Sequence, residues 1–358
     1  MLLIVNAGSS SLKLKVFDGA DDVAAAAIGE IGADEYRSAL ERAIGMTKVP
    51  VSWLSAVAHR VVHGGMHMTE TCRITPEVLA EIKACVPLAP LHNPANLIGI
   101  QEVARLMPDV PQFACFDTAF HSTNPEVATT YALPKAERDR GLRRYGFHGI
   151  SYAALVRILK ARGVLPHRLL ACHLGNGASL CAVVDGRSVA TTMGYSPLDG
   201  LTMGTRTGGI DGNAVLRLVE LHGAKRAGEI LNHESGLLGL GGSNDMRALS
   251  AVETDQARFA QQHFSYWAIR HAGSMIAAMG GLDGVVFTGG IGENDPSVRM
   301  AILSGLAFAG VVFQKDANAR NESLLHDPTS DVAIWIVPAD EERQIALEAQ
   351  DAMAEGGV

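Results

Sequence analysis

Four side chains in this sequence bring a charge or an imidazole to a strand end or a glycine-bordered turn: Arg60, Asp117, His148 and Arg206. Arg60 falls near the end of the apolar run LSAVAHRVV, directly before the glycines of HGG. The run reads as a buried strand carrying a cation toward its C-terminal end, where α/β folds collect ligands. A charge there is costly unless paired, and a structural ion pair explains Arg60 as well as a ligand does. PQFACFDTAFH likewise brings Asp117 to a strand end, with His121 close behind; an N-capping aspartate is the plainer alternative. His148 lies between Phe147 and Gly149 in RRYGFHGIS, where a neutral core histidine is the ordinary reading, and Ser151 reads as the cap of the helix YAALVRILKAR. Arg206 is the one cation of TTMGYSPLDGLTMGTRTGGIDGN, whose Thr and Gly neighbours leave its planar fork room for a phosphate or carboxylate. A loop of that length inside a compact domain is usually functional.

His59, His63 and His67 are spaced by four, as zinc ligands on a helix would be, but the β-branched run and Gly64-Gly65 deny them that helix. His92 sits in LAPLHNP, a loop whose backbone two prolines fix.

The elements that must position these residues are organised by a repeat. LLIVNAGSSSLKLKVFDG opens the chain and LLACHLGNGASLCAVVDG returns at 169–186, pairing Leu2 with Leu169, Leu3 with Leu170, Gly8 with Gly175, Val16 with Val183 and Asp18 with Asp185. Each copy is an apolar run, a small-residue turn and a second apolar run, which predicts two strands joined by a hairpin turn. A Walker loop would lead into a helix instead. Such turns let backbone N–H groups approach a phosphate, with Asn176, Ser9 or Ser10 as further donors, and two facing turns would grip one polyphosphate. Either turn alone reads as an ordinary hairpin; the repeat favours the binding role.

Composition narrows the classes. A chain of 358 residues predicts two domains. Its 47% hydrophobic and 19% charged content is that of a globular protein, and a net charge of -8 excludes the basic face that nucleic acid needs. Five cysteines without a CxxC pair argue against a disulfide framework or zinc knuckle and for a reducing, cytoplasmic setting. The N-terminal run has no basic leader and is broken at Asn6, so it predicts a core strand and neither a signal peptide nor a membrane span.

Residues 21–50 predict surface strands and loops. Helical spacing covers 76–86 and 95–107, then 213–222 and 225–233, and a long helix over 254–279. SGLLGLGGSNDMRAL predicts a glycine-dense turn ending with Asp245 and Arg247 at a helix start. GVVFTGGIGEN predicts a buried strand and a glycine turn; Asp295 stands where a dinucleotide fingerprint needs its third glycine, yet the following helix start suits a phosphate or ribose edge. A strand at VAIWIVP and a helix from Glu341 close the chain.

With those blocks in place, the sequence resembles the acetate and propionate kinase family of the actin, heat-shock chaperone and sugar-kinase (ASKHA) superfamily. The motifs that carry the likeness run in family order: NAGSSSLK, HRVVHGG, LAPLHNP, FDTAFH, RYGFHG, HLGNGAS, MGTR, FTGGIGEN and the terminal DEE. The resemblance implies an α/β fold of two duplicated, ribonuclease H-like ASKHA domains with a cleft between them. Residues 1–118 with 343–358 would form the first domain, and 119–342 the second, carrying the nucleotide site and the contact of a homodimer. It implies reversible, ATP- and Mg2+-dependent phosphorylation of acetate, and also propionate, to the acyl phosphate. It implies metal-associated roles for Asn6 and Glu341, an ATP contact for Lys13 and the acyl-substrate contact for Arg60. Asp117 matches the essential acid, and His148 and Arg206 the pair that stabilises the transferring phosphoryl group. His173, Leu174, Gly175, Asn176 and Gly177, then Asp245, Met246 and Arg247, then Gly290, Ile291, Gly292, Glu293 and Asn294 match the nucleotide-binding segments. Val62, Leu91, Phe147 and Pro197 match the apolar pocket around the acyl chain. Tyr152 stands where the family usually has a second histidine, and TRTGG and PADEE replace TRSGD and PTNEE. A sugar kinase of the same superfamily would need a hydroxyl-binding lining in place of Arg60 and Arg206, and a chaperone-like nucleotide module a further substrate domain.

Overall fold

The apolar run at the N-terminus and its repeat each pair antiparallel with the run that follows, and each hairpin seeds a sheet of the same order. The computed structural model describes residues 1–8, 11–29, 31–32, 35–90 and 92–355. The chain divides into two compact units: Met1–Ser122, Phe147–Ala154 and the segment from Asp340 onward in one, Thr123–Gly146 and Leu155–Ala339 in the other.

In the first unit the strands are β1 (Leu2–Ala7), β2 (Ser11–Asp18), β3 (Asp21–Gly29), β4 (Ala56–Val61), β5 (Cys72–Arg73) and β6 (Gln112–Phe116). They lie in the order β3-β2-β1-β4-β6-β5, with β1 and β4, and β4 and β6, parallel. In the second unit β7 (Arg168–Leu174), β8 (Ala178–Val184), β9 (Arg187–Thr191), β10 (Gly284–Thr288) and β11 (Ala333–Ile336) take the order β9-β8-β7-β10-β11, with β10 parallel to β7 and β11. The duplication therefore extends from the hairpins to whole sheets. Parallel strands buried on both faces read as continuous apolar runs, as GVVFT of β10 does; β2 faces water on one side and alternates instead.

One face of the first sheet, Leu3, Val5, Leu12, Leu14 and Val57, packs on Tyr36, Ala39, Leu40 and Ala43. These belong to a helix, Tyr36–Thr47, in the stretch where the sequence predicts only strands and loops. Their three- and four-residue spacing is helical, but two of them are alanines, whose weak hydrophobicity hides the stripe among Ala and Gly neighbours. The other face, Leu2, Ile4, Ala56, Ala58, Phe113 and Cys115, is covered by Ile345, Ala346 and Ala349 of the helix Glu341–Glu355.

A second correction concerns Ser151. The helix begins at Gly149, three residues before the predicted start at Tyr152, so Ser151 is buried within its first turn. The His148 carbonyl accepts the Tyr152 N–H at 3.0 Å, placing His148 at the helix entrance. The span Gly212–His233 is two helices broken at Gly223, where the backbone leaves helical geometry (φ 78), as the spacing over 213–222 and 225–233 predicts. The helix start after GGIGEN is capped by Asp295, whose carboxylate accepts the N–H groups of Ser297 and Val298 at 3.0 Å. Among the described residues no helix is long and apolar enough to cross a membrane.

Candidate active site

Alternation along three parallel strands sets the first cluster. On the face covered by the C-terminal helix, β1 presents Leu2, Ile4 and then Asn6; β4 presents Ala56, Ala58 and then Arg60; β6 presents Phe113, Cys115 and, one step beyond its end, Asp117. The apolar residues anchor the sheet and the polar ones meet at its edge. Arg60 Nε lies 3.1 Å from both Asp117 oxygens and Nη2 lies 2.6 Å from Oδ2, a forked pair, while Nη1 donates to Asn6 Oδ1 at 3.3 Å. Burial opposes the Arg60 charge, but Asp117 and then Glu341 and Glu342 outweigh it and hold the guanidinium above its ordinary range. Glu341 is the first residue of the C-terminal helix. Lys13 sits directly across from Asn6 in the β1–β2 ladder and is exposed. The ion pair considered for Arg60 thus exists, and its partner is the other residue singled out at a strand end.

Side-chain amides pin the strand exits. Asn96 Oδ1 accepts the Val62 N–H at 3.1 Å while its Nδ2 donates to the Ala7 carbonyl at 2.7 Å; Asn93 Oδ1 accepts the His63 N–H at 3.1 Å. Both asparagines are buried on the helix Asn93–Leu106, and sequence reasoning missed them; the signal was two amides three residues apart in a helix otherwise facing the core. His92 immediately precedes that helix. Val62 and Phe147 are buried in this unit, and Leu91 lies outside the described residues, as do Ser9 and Ser10. His59, His63 and His67 occupy a strand, its exit and a turn, so their spacing makes no common face. His59 is buried against Gln112 at 2.7 Å, and burial lowers its pKa to about 4 against that bond.

His148 has φ +59, in the left-handed region that a histidine seldom adopts. The next residue must be glycine. Gly149 N–H donates to the Asp117 carbonyl at 2.8 Å, and a Cβ at that position would lie 2.3 Å from the same oxygen. Tyr152 is fully buried, its ring set at 71° to that of His121.

The second unit holds a cavity of about 860 Å³ lined by Gly175, Asn176, Asp245, Met246, Arg247, Gly290, Ile291 and Asn294 among others. That volume is at the upper end for small-molecule sites. His173, Leu174, Gly177, Gly292 and Glu293 do not line it. Glu293 instead braces the turn from behind, its Oε1 accepting Gly289 N–H at 2.8 Å and Ala339 N–H at 2.9 Å. Gly289 itself has φ +82 and leaves no space for a side chain, since a Cβ would lie 2.7 Å from the Leu174 carbonyl. Arg299, fully buried, donates to the Gly292 carbonyl at 2.9 Å and to Asn318; no sequence pattern marked it. Asp245 caps the short helix Met246–Ser250 and pairs with exposed Arg247 at 2.7 Å, a contact that holds its carboxyl below the usual range.

Arg206 lies in the irregular stretch between β9 and the helix that begins at Gly212, and its Nη1 donates to the Pro197 carbonyl at 2.7 Å. Backbone bonds strap this loop down: Gly204 N–H to Asn176 O at 2.9 Å, Leu237 N–H to Met203 O at 2.8 Å and Ser235 N–H to Thr205 O at 3.0 Å. Asn176 therefore touches both the cavity and the loop of Arg206.

Comparison with known proteins places this geometry. A model of the acetokinase family matches residues 45–347. Over its full length the chain is 41% identical to the acetate kinase of Rhodopseudomonas palustris, covering 99% of it, and 37% identical to that of Bacteroides thetaiotaomicron, with 98% of each chain covered. Among solved structures, the acetate kinase of Porphyromonas gingivalis superposes with a TM-score of 0.90 at 34% identity over 98% of this chain and 99% of that one. A propionate kinase from Francisella tularensis gives the same score, identity and coverage.

Proposed function

The chain belongs to the acetokinase family, and from that premise we propose how its residues divide the work of ATP-dependent phosphorylation of acetate or propionate. An oxygen of the substrate carboxylate attacks the γ-phosphorus in line, the bond to the β-phosphate oxygen breaks, and acyl phosphate and ADP result. No covalent enzyme intermediate is needed, so positioning and charge stabilisation carry the rate. The observation that carries this reading is the forked Arg60–Asp117 pair flanked by Asn6 and Lys13.

Arg60 holds the carboxylate, with Val62, Leu91, Phe147 and Pro197 around the acyl chain. His148 and Arg206 meet the equatorial phosphoryl oxygens, and the Pro197 carbonyl aims the Arg206 fork. Asp117 is the essential acid, orienting the reactants at the strand end, and Lys13 reaches the ATP phosphates. The cavity of the second unit takes the nucleotide, with Gly175, Asn176 and Asp245 to Arg247 on one part of its lining and Gly290, Ile291 and Asn294 on another. His173, Leu174, Gly177, Gly292 and Glu293 shape the turns from outside it.

The metal is Mg2+. Asn6 offers an amide oxygen and Asp117 a carboxylate beside the same guanidinium, with the Glu341 charge acting on it, hard oxygen donors that suit an ion bound through few protein ligands, water and phosphate. Bound with ATP, it would neutralise phosphate charge; the residues that would hold it are Asn6, Glu341 and Asp117.

The division differs from the bounds 1–118 with 343–358 and 119–342, because the chain from Phe147 to Ala154 packs with the first unit: that unit supplies the main carboxylate contacts, and Thr123–Gly146 with Leu155–Ala339 serve the nucleotide and self-association. Exposed Leu216, Leu221, Phe259 and Tyr266 on two helices of the second unit support a homodimer. All five cysteines are free thiols, consistent with a cytoplasmic setting. The deciding experiment is trapping of acyl phosphate as hydroxamate with ATP, across acetate, propionate and butyrate, with Mg2+ or with chelator. Turnover of acetate and propionate that needs Mg2+ is expected; unaltered turnover in chelator would remove the metal assignment.

A further inference from the structure

His121 follows Asp117 by four residues, inside the short 3-10 helix Ala119–Thr123, so the segment that delivers the acid also delivers this imidazole. It is buried, and its Nε2 lies 2.9 Å from the Phe147 carbonyl. A carbonyl only accepts, so Nε2 carries the proton. Phe120 and Tyr152 set their rings against it, with centroids at 5.8 and 5.7 Å, and His63 meets Phe147 edge-on at 5.4 Å. On the other side of His148, Gly149 N–H is bonded to the Asp117 carbonyl at 2.8 Å. The peptide before His148 and the peptide after it are thus both tied to the Asp117–His121 segment, and between the two ties His148 is held at φ +59. A non-glycine residue in that region is strained and persists where its surroundings over-determine it.

We propose that His121 is a positioning residue for the reaction: by donating Nε2–H to the Phe147 carbonyl it fixes both the left-handed turn that presents His148 and the wall that Phe147 gives the acyl pocket. Burial lowers the pKa of His121 to about 4, against the effect of the carbonyl bond, so the imidazole works as a neutral donor through the physiological range. A bond of this kind acts through geometry. A shift of about 1 Å in a reacting group can cost 10²-fold in rate.

The inference rests on the roles given above to Phe147 and His148. His121→Leu, which keeps bulk and removes the donor, is expected to lower kcat about 10- to 100-fold, to raise the carboxylate KM and to change the acetate-to-propionate ratio of kcat/KM, with the ATP KM within about twofold. His121→Gln, whose amide nitrogen reaches the same carbonyl, is expected to recover most of the loss. Equal losses in both variants, or an unchanged acid ranking in a folded His121→Leu protein, would reduce His121 to packing. Long-range 1H–15N correlation of the imidazole in the unmodified protein decides without any variant: a proton on Nδ1 alone at pH 7 overturns the proposal, and one on Nε2 supports it. His148→Ala and Phe147→Ala separate the two levels. If they leave turnover and ranking intact, the site assignment fails; if they do not while His121→Leu does, this inference alone fails.

Discussion

The two hairpins that open the two sheets share a topology and differ by one residue. In the first, the last ladder pair is Ala7 with Leu12, enclosing residues 8–11; in the second it is Leu174 with Ala178, enclosing 175–177. Counted along the sequence, Lys13 corresponds to Leu180, but the residue opposite His173, the counterpart of Asn6, is Ser179. A one-residue change of register exchanges the faces. Hence the first hairpin presents Asn6 and Lys13 on a partly wet face, with β2 alternating between exposed and buried, whereas β8 is buried from Ala178 to Val183. The first copy became a place for charged side chains at strand ends. The second kept its turn, and it offers backbone.

That difference predicts that removing a charged strand-end residue of the first unit costs stability and activity together, and removing a loop cation of the second costs activity alone. The largest effect is expected for Asp117→Ala, which removes the partner of Arg60. Turnover should fall by about 10³ or more. Stability should fall by on the order of 3 kcal/mol, the low end for breaking a buried pair because the Arg60 side chain keeps 23% exposure. Chemical denaturation beside the hydroxamate assay measures both; a wild-type midpoint would break the comparison. Arg206→Ala should lose about 10² to 10³ in kcat with Tm within a few degrees of wild type, because Arg206 lies in an irregular loop and donates to the Pro197 backbone carbonyl there. A variant within a few fold of wild type would take Arg206 out of the mechanism.

Val62 tests the acyl pocket. One methylene of space is worth about 1 to 3 kcal/mol, so Val62→Ala should raise kcat/KM for propionate relative to acetate by roughly 10-fold. An unchanged ratio in a folded protein would leave Val62 as sheet packing. The smallest effect is expected for Glu348 of the C-terminal helix, where burial raises the pKa despite hydrogen bonds from Gln344 and Thr71. A carboxyl whose folded pKa is raised contributes stability below its unfolded value, about 4.3, and that contribution is lost as pH rises through the folded value. Glu348→Gln should therefore gain Tm relative to wild type by a degree or so at pH 8 and nothing at pH 4; a uniform shift at both would rule out the titration.

How much the sequence revealed depends on the range of the interaction. The hairpins, the parallel strands and the strand-end placement of Arg60 and Asp117 follow from patterns of a few residues, and the structure contains them all. The forked pair itself joins positions far apart in the chain, and nothing local says that Asp117 rather than another acid meets Arg60. The helix Tyr36–Thr47 escaped notice because alanines form its buried stripe, and the start at Gly149 because a contact with the Asp117 carbonyl sets it. Arg299 is the hardest case: an arginine at zero exposure, satisfied by the Gly292 carbonyl and Asn318, has no local signature.

The first unit is assembled from three separated stretches of chain, and this orders its birth on the ribosome. Leu2, Ile4, Ala56, Ala58 and Phe113 are made early, yet their cover, Ile345, Ala346 and Ala349, is made more than two hundred residues later. At about 5 to 20 residues per second the uncovered face waits on the order of ten seconds or more, while the second unit has all of its own strands before the final helix emerges. The half that is translated first is thus the half that closes last, and the nascent chain must shield an apolar sheet face throughout that interval.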